Sequence, residues 1–160
     1  MGKETKTNAM RILERAKVPY QLIQYECKEF IDGIHVADAT GVPREQSFKT
    51  LVAKGKSGGY YVLVLPVELE VHLKAAAKAV GEKSIEMLHV KDITAVTGYV
   101  RGGCSPVGMK KLFPTAIHET ALLYDKIYVS GGRIGTTIVV NPEELARVCQ
   151  AKFVNLCSEL

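Results

Sequence analysis

Residues 97–111 constrain this chain more than any other stretch. Gly98, Gly102, Gly103, Gly108 and Pro106 interrupt an otherwise apolar run, and Lys110 and Lys111 close it. Glycine reaches backbone conformations closed to other residues and lets a second group approach the main chain. Gly102 and Gly103 therefore read as exposed backbone, with Cys104 and Ser105 offering side-chain groups beside it. Arg101, Lys110 and Lys111 add positive charge. Two readings fit: an anion-binding loop, or a sharp turn beside a basic surface. The glycine spacing matches neither a dinucleotide fingerprint nor a Walker loop.

Around this loop, helices and strands mix without regular βαβ alternation, which predicts an α+β fold around a curved or closed sheet. Ala9, Ile12, Leu13 and Ala16 recur at helical spacing behind Thr7 or Asn8, and Pro19 marks the expected helix end. A strand is expected over 20–25, then a loop over 26–33 with Gly33 at a turn, and a short helix over 35–40 stopped by Gly41 and Pro43. Residues 46–54 and 60–65 read as a hairpin turning at Ser57, Gly58 and Gly59, its second strand buried. Leu69, Leu73, Ala76, Ala77 and Val80 predict a helix closed by Gly81, and a short helix is expected over 92–96. Strands are expected over 115–119, 126–129, 135–140 and 151–156. A helix begins at Asn141, with Pro142 at its first position and Glu143 and Glu144 against its positive end.

At 160 residues the chain is long enough for a real core and reads as one domain over 1–160. No run approaches bilayer-spanning length, and the polar start argues against a signal peptide. Lys6 stands where a myristoylation motif wants Ser or Thr. Cys27, Cys104, Cys149 and Cys157 show no paired CxxC spacing, so reduced thiols, a cytoplasmic location and no structural metal are expected. The net charge of +4 permits a nucleic-acid partner without requiring one.

No triad or metal motif stands out, and His35, His72, His89 and His118 are scattered. Cys104 is either a nucleophile needing thiolate stabilisation, with Arg101 as the candidate, or a small residue filling a tight loop. Lys49 sits in an apolar, β-rich run. It either snorkels from a strand edge or stands as a fixed cation facing a pocket.

Phe48-Lys49-Thr50-Leu51-Val52, the glycine-rich string with Lys110 and Lys111, and Tyr128-Val129-Ser130-Gly131-Gly132 follow in an order that resembles YbaK-type aminoacyl-tRNA deacylases. These are relatives of the editing insertion domain of bacterial prolyl-tRNA synthetases. The resemblance implies a mixed, strongly curved, barrel-like sheet surrounded by helices. It implies cleavage of Cys-tRNA(Pro) without a cofactor, the substrate's own thiol attacking the aminoacyl ester. It further implies that Lys49 and Gly102 carry the catalytic roles. Tyr25, Thr50, Gly103, Ser105, Ser130 and Gly131 would contact substrate, and Arg101, Lys110 and Lys111 would meet phosphates. The implied partners are the acylated 3′ end of tRNA and, as a candidate, prolyl-tRNA synthetase. The chain departs from some members at Thr137, where they carry Asp, and over 29–33. Cys104 replaces an aliphatic residue and is not expected to be catalytic. Competing expectations are the same cleavage on Ala-tRNA(Pro) by a positioned water, and a noncatalytic module that binds tRNA or a synthetase.

Overall fold

The computed structural model describes residues 6–26 and 32–157. Helix α1 (Asn8–Arg15) is capped by Thr7, whose hydroxyl oxygen accepts from the Met10 N–H, and it buries Ala9, Met10 and Leu13. Its stop comes before Pro19. Lys17 turns left-handed (φ 62°), and the Val18 N–H reaches back to the Leu13 carbonyl. Strand β1 (Tyr20–Gln24) follows. The expected loop over 26–33 lies largely outside the described residues. Its end is corrected: Gly33 is the first residue of α2 (Gly33–Thr40), because the Asp32 carboxylate caps the His35 N–H.

The expected hairpin is β2 (Phe48–Gly55) and β3 (Tyr60–Pro66). A 3₁₀ turn over Arg44–Gln46 delays the first strand by two residues. Helix α3 (Leu73–Val80) starts later than its apolar spacing suggested. His72 caps it, and it buries Ala76 and Ala77 while Leu69 and Leu73 stay exposed. Strand β4 (Ile85–Met87) was not expected; three residues are too few to show a period. Then come α4 (Ile93–Thr97), β5 (Thr115–His118), β6 (Ile127–Ser130), β7 (Thr136–Val140), α5 (Pro142–Cys149) and β8 (Lys152–Val154). Asn141 caps α5 by accepting from the Glu144 N–H.

The strands form two sheets, β1-β7-β6 and β4-β2-β3-β5-β8. The larger is mixed: β4-β2-β3 run antiparallel, while β3-β5 and β5-β8 run parallel. Strand β3 is buried on both faces. Val62 and Val64 face a core shared with α1, α5 and the smaller sheet, and Leu63 and Leu65 face a second core under α3. Burying such a side chain contributes roughly 1.5–3 kcal/mol, so this strand anchors the fold.

The expected single barrel-like sheet is not what forms among the described residues. The two sheets are joined by one isolated parallel bridge, Ser47 to Tyr128, and no ladder continues it between β2 and β6. A cavity lies beside this junction, lined by residues 47–52 of one strand region and 128–130 of the other.

Candidate functional site

The cavity encloses about 450 Å³, within the range of sites that hold small organic groups. Lys49 enters it from β2, where it pairs across the ladder with Leu65. Among the described residues, its ammonium has no hydrogen-bond or ion-pair partner. Gly102 reaches the same cavity from the glycine-rich loop. The two positions, distant in sequence, therefore share one wall-to-wall space.

The loop is held by its own hydroxyls. Thr97 donates to the Ile93 carbonyl and accepts from the Tyr99 N–H, and the Tyr99 hydroxyl donates to the Val107 carbonyl (2.6 Å). Burial pushes the Tyr99 phenol up to about 12, so it remains a donor at neutral pH. Gly102 lines the cavity with a left-handed φ of 86°, a conformation that glycine adopts without the strain of a Cβ. Gly103 sits behind it. A Cβ there would lie 2.8 Å from the Arg133 Cα, so the absence of a side chain lets this loop rest on the 131–135 turn.

Tyr25, Thr50, Ser130 and Arg101 also line the cavity. Ser130 lies opposite Thr137 in the β6–β7 ladder, and the pair puts two hydroxyls on one wall. The buried Thr50 hydroxyl oxygen has no hydrogen-bond partner among the described residues. Gly103, Ser105 and Gly131, expected as substrate contacts, do not line the cavity. Ser105 is fully buried and its hydroxyl accepts from the Val107 N–H, while Gly131 pairs its N–H with the Thr136 carbonyl. They shape the two loops from behind. The expected basic trio is also divided. Arg101 is at the cavity, Lys110 donates to the Ala95 carbonyl (3.0 Å), and Lys111 borders a separate, smaller cavity with Met109 and Phe113.

Sequence reasoning missed the acidic residues Asp32 and Glu70 and much of the apolar wall, including Val67, Met87 and Ile93. Nothing in the sequence separates those apolar residues from ordinary core. Asp32 is occupied by the His35 N–H and imidazole, which hold its carboxyl below the usual range.

Cys104 also lines the cavity, but burial pushes its thiol up to about 11, outweighing the Thr97 hydroxyl that favours the thiolate. It is protonated at neutral pH and a poor nucleophile. Burial likewise raises the Cys157 thiol, with the Lys49 ammonium opposing and Glu70 reinforcing, so both charges lie within electrostatic reach of that sulfur. No histidine lines the cavity, and no group of three metal-ligating side chains occurs among the described residues. The site thus offers a cation, hydroxyls and bare main chain around an apolar floor. That equipment orients a substrate and stabilises developing negative charge.

Comparison with known proteins bears on the family and the fold. A protein of Enterococcus faecalis named "Putative Cys-tRNA(Pro)/Cys-tRNA(Cys) deacylase EbsC" is 43% identical over 157 residues, covering 98% of this chain and 96% of its own. A proline–tRNA ligase of Fervidobacterium nodosum is 31% identical over 97 residues, which are 61% of this chain and 16% of the ligase. The solved structure described as "a putative trans-editing enzyme for prolyl tRNA synthetase" superposes with a TM-score of 0.82 at 22% identity. It covers 98% of this chain and 100% of that one, and shows a shared fold. No helix among the described residues is long and apolar enough to cross a membrane. Residues 34–148 match the family described as the aminoacyl-tRNA editing domain, and the chain belongs to that family.

Proposed function

We propose that this protein is a trans-editing deacylase that removes cysteine from mischarged tRNA(Pro), acting in the cytoplasm as one editing domain over 1–160. The observation that carries this reading is the meeting of Lys49 and Gly102 in a cavity where, among the described residues, no histidine lies and the lining cysteine, Cys104, is held as a thiol. Such a site suits a substrate that brings its own nucleophile. The cysteinyl sulfur attacks the ester carbonyl carbon, and the C–O bond to the terminal ribose breaks. The thiol proton passes to the departing ribose oxygen, leaving a cyclic thiolactone and free tRNA. An intramolecular attack gains most from correct orientation, which can supply several kcal/mol of the barrier.

Lys49 orients the ester and terminal ribose and offers N–H donors where negative charge develops. Gly102 brings its main chain against the acyl group, and Tyr25, Thr50 and Ser130 complete the contact surface. Gly103, Ser105 and Gly131 support the loops behind it. Arg101 meets the phosphate nearest the acylated end, while Lys110 and Lys111 would act only on more distant phosphates. The relatedness of proline–tRNA ligases over 97 residues supports that synthetase as the candidate partner that delivers tRNA(Pro).

The test is deacylation of Cys-tRNA(Pro) and Ala-tRNA(Pro), with and without the synthetase. Cys-tRNA(Pro) is expected to be cleaved at least about a hundredfold faster, since alanine has no thiol and loses the intramolecular path. Equal rates on both would replace the thiol by a positioned water. Retained tRNA binding with no turnover would make the protein a noncatalytic module.

A further inference from the structure

Strand β2 has two edges. The Gly55 N–H donates to the Gly59 carbonyl and the Ser47 carbonyl accepts from the Val67 N–H, so odd-numbered residues present their main chain to the β3 side. The Val52 carbonyl accepts from the Leu88 N–H and the Lys56 N–H donates to the Ser84 carbonyl, so even-numbered residues present theirs to the opposite side. In an antiparallel strand this alternation is fixed by the pleat. On that outer side the β4 ladder pairs Ala53–Gly55, the Leu88 N–H extends it to the Val52 carbonyl, and the strand bridge to β6 falls at Ser47, just before β2 begins. Thr50 falls between the two covered ends. By the same alternation its N–H and C=O belong to that outer side, where no ladder or bridge pairs with it among the described residues; Thr50 lines the cavity, and its hydroxyl oxygen is buried without a partner.

We propose that the Thr50 main chain is the docking edge for the aminoacyl group, which binds as a single residue of added strand. This rests on the deacylase reading above. The occupant is an α-aminoacyl ester because its two polar groups match the edge. The α-ammonium donates to the Thr50 carbonyl, and the ester carbonyl accepts from the Thr50 N–H, the same two-bond exchange that a paired strand residue makes. The second bond lands on the oxygen where charge develops during cleavage, so it strengthens as the reaction proceeds. Selection for a free α-amino acid would then be written in backbone, with the side chain of residue 50 contributing only around it.

The experiment is amide hydrogen exchange on the full chain, with and without 3′-deoxy-3′-(cysteinylamino)adenosine, whose amide replaces the labile ester. In the free protein the Thr50 amide is expected to exchange faster than those of Lys49 and Leu51, which face β3. Binding is expected to slow Thr50 by at least about tenfold and leave those two unchanged. If the analogue binds, seen as perturbed Lys49 resonances, yet Thr50 exchange does not move, the docking edge is wrong while the deacylase reading stands. If Thr50 is already as slow as Leu51 without ligand, the edge is not open and the proposal fails. If Cys-tRNA(Pro) itself is not cleaved, the underlying reading fails first. As a second measurement, 3-mercaptopropionyl-tRNA(Pro) keeps thiol and ester but lacks the α-ammonium. Corrected for spontaneous hydrolysis, its kcat/KM is expected to fall roughly ten- to a hundredfold, the loss of one hydrogen bond to a charged group. An unchanged corrected value overturns the proposal.

Discussion

The two edges of β2 do different work with the same residues. Along one edge Phe48 to Lys54 pair without a break against β3, the strand buried between both cores. Along the other, strand pairing is assigned only over Ala53–Gly55 and at the Ser47 bridge, and the stretch between them lines the cavity. The lesson is that the rigidity of the site comes from the paired edge and its chemistry from the open one. A strand locked to a packed core can hold a cation in place that a loop could not.

The sharpest way to break this comparison is to change one residue on each side of the same cross-strand pair, Lys49 and Leu65. Lys49→Ala is expected to lower kcat/KM on Cys-tRNA(Pro) by at least about a hundredfold, as when a preorganised donor is removed, with little change in Tm. Leu65 is fully buried in the second core. Leu65→Ala is therefore expected to lose about 2–5 kcal/mol of stability in denaturant unfolding, with activity per folded molecule nearly preserved. If Lys49→Ala unfolds the protein while Leu65→Ala silences it, the division of labour is reversed.

Gly102→Ala probes the loop that faces the open edge. Its φ of 86° is strained for alanine, so about 1 kcal/mol or more of stability should be lost by displacement of the loop. Activity is expected to fall further than that modest destabilisation explains, roughly tenfold or more, because the displaced main chain is itself a cavity wall. A variant with full activity would remove Gly102 from the site.

Cys104 offers a smaller effect that separates a substrate nucleophile from a protein one. With its thiol raised to about 11, alkylation by iodoacetamide at pH 8 should be slow, and Cys104→Ala should retain activity within about threefold. Loss of activity to background would restore the cysteine as nucleophile.

How much of this was legible in the sequence follows the range of the forces involved. Caps and turns are local, so Asn141 with Pro142, Gly41, Gly81 and the hairpin over 57–59 could be read directly. The end of α1 was misplaced because a left-handed Lys17, held by backbone bonds, stopped the helix before Pro19 could. The start of α3 was misplaced because Leu69 and Leu73 continue a helical spacing that the tertiary structure leaves exposed. Convergence of Lys49 and Gly102 had no local signal at all and entered only through resemblance to a family. That the two sheets join at a single bridge, Ser47 to Tyr128, instead of along a ladder is a long-range outcome that no periodicity encodes. The neighbours Lys110 and Lys111 parted because consecutive residues on a loop can face different partners.

The smallest effect concerns the far end of the larger sheet, where β5 meets β8. His118 is buried and its Nδ1 accepts from the Leu156 N–H (3.0 Å), which fixes the proton on Nε2. Burial lowers its pKa, and the nearby Glu119 charge only partly offsets this. The unfolded chain therefore binds more protons than the folded one between the two pKa values, so stability rises with pH there. The contribution is complete above the ordinary histidine value near 6.5 and is lost as pH falls toward the folded-state value. Protonation also removes the acceptor for Leu156, loosening the segment after β8. Tm measured from pH 8 to pH 5 should fall more steeply for the wild type than for His118→Gln, which can keep an acceptor without titrating. Deacylation per folded molecule should change little across the same series, because this histidine does not line the cavity. Equal Tm slopes for the two proteins would show that His118 titrates alike in both states, and that the β5–β8 junction is open to water.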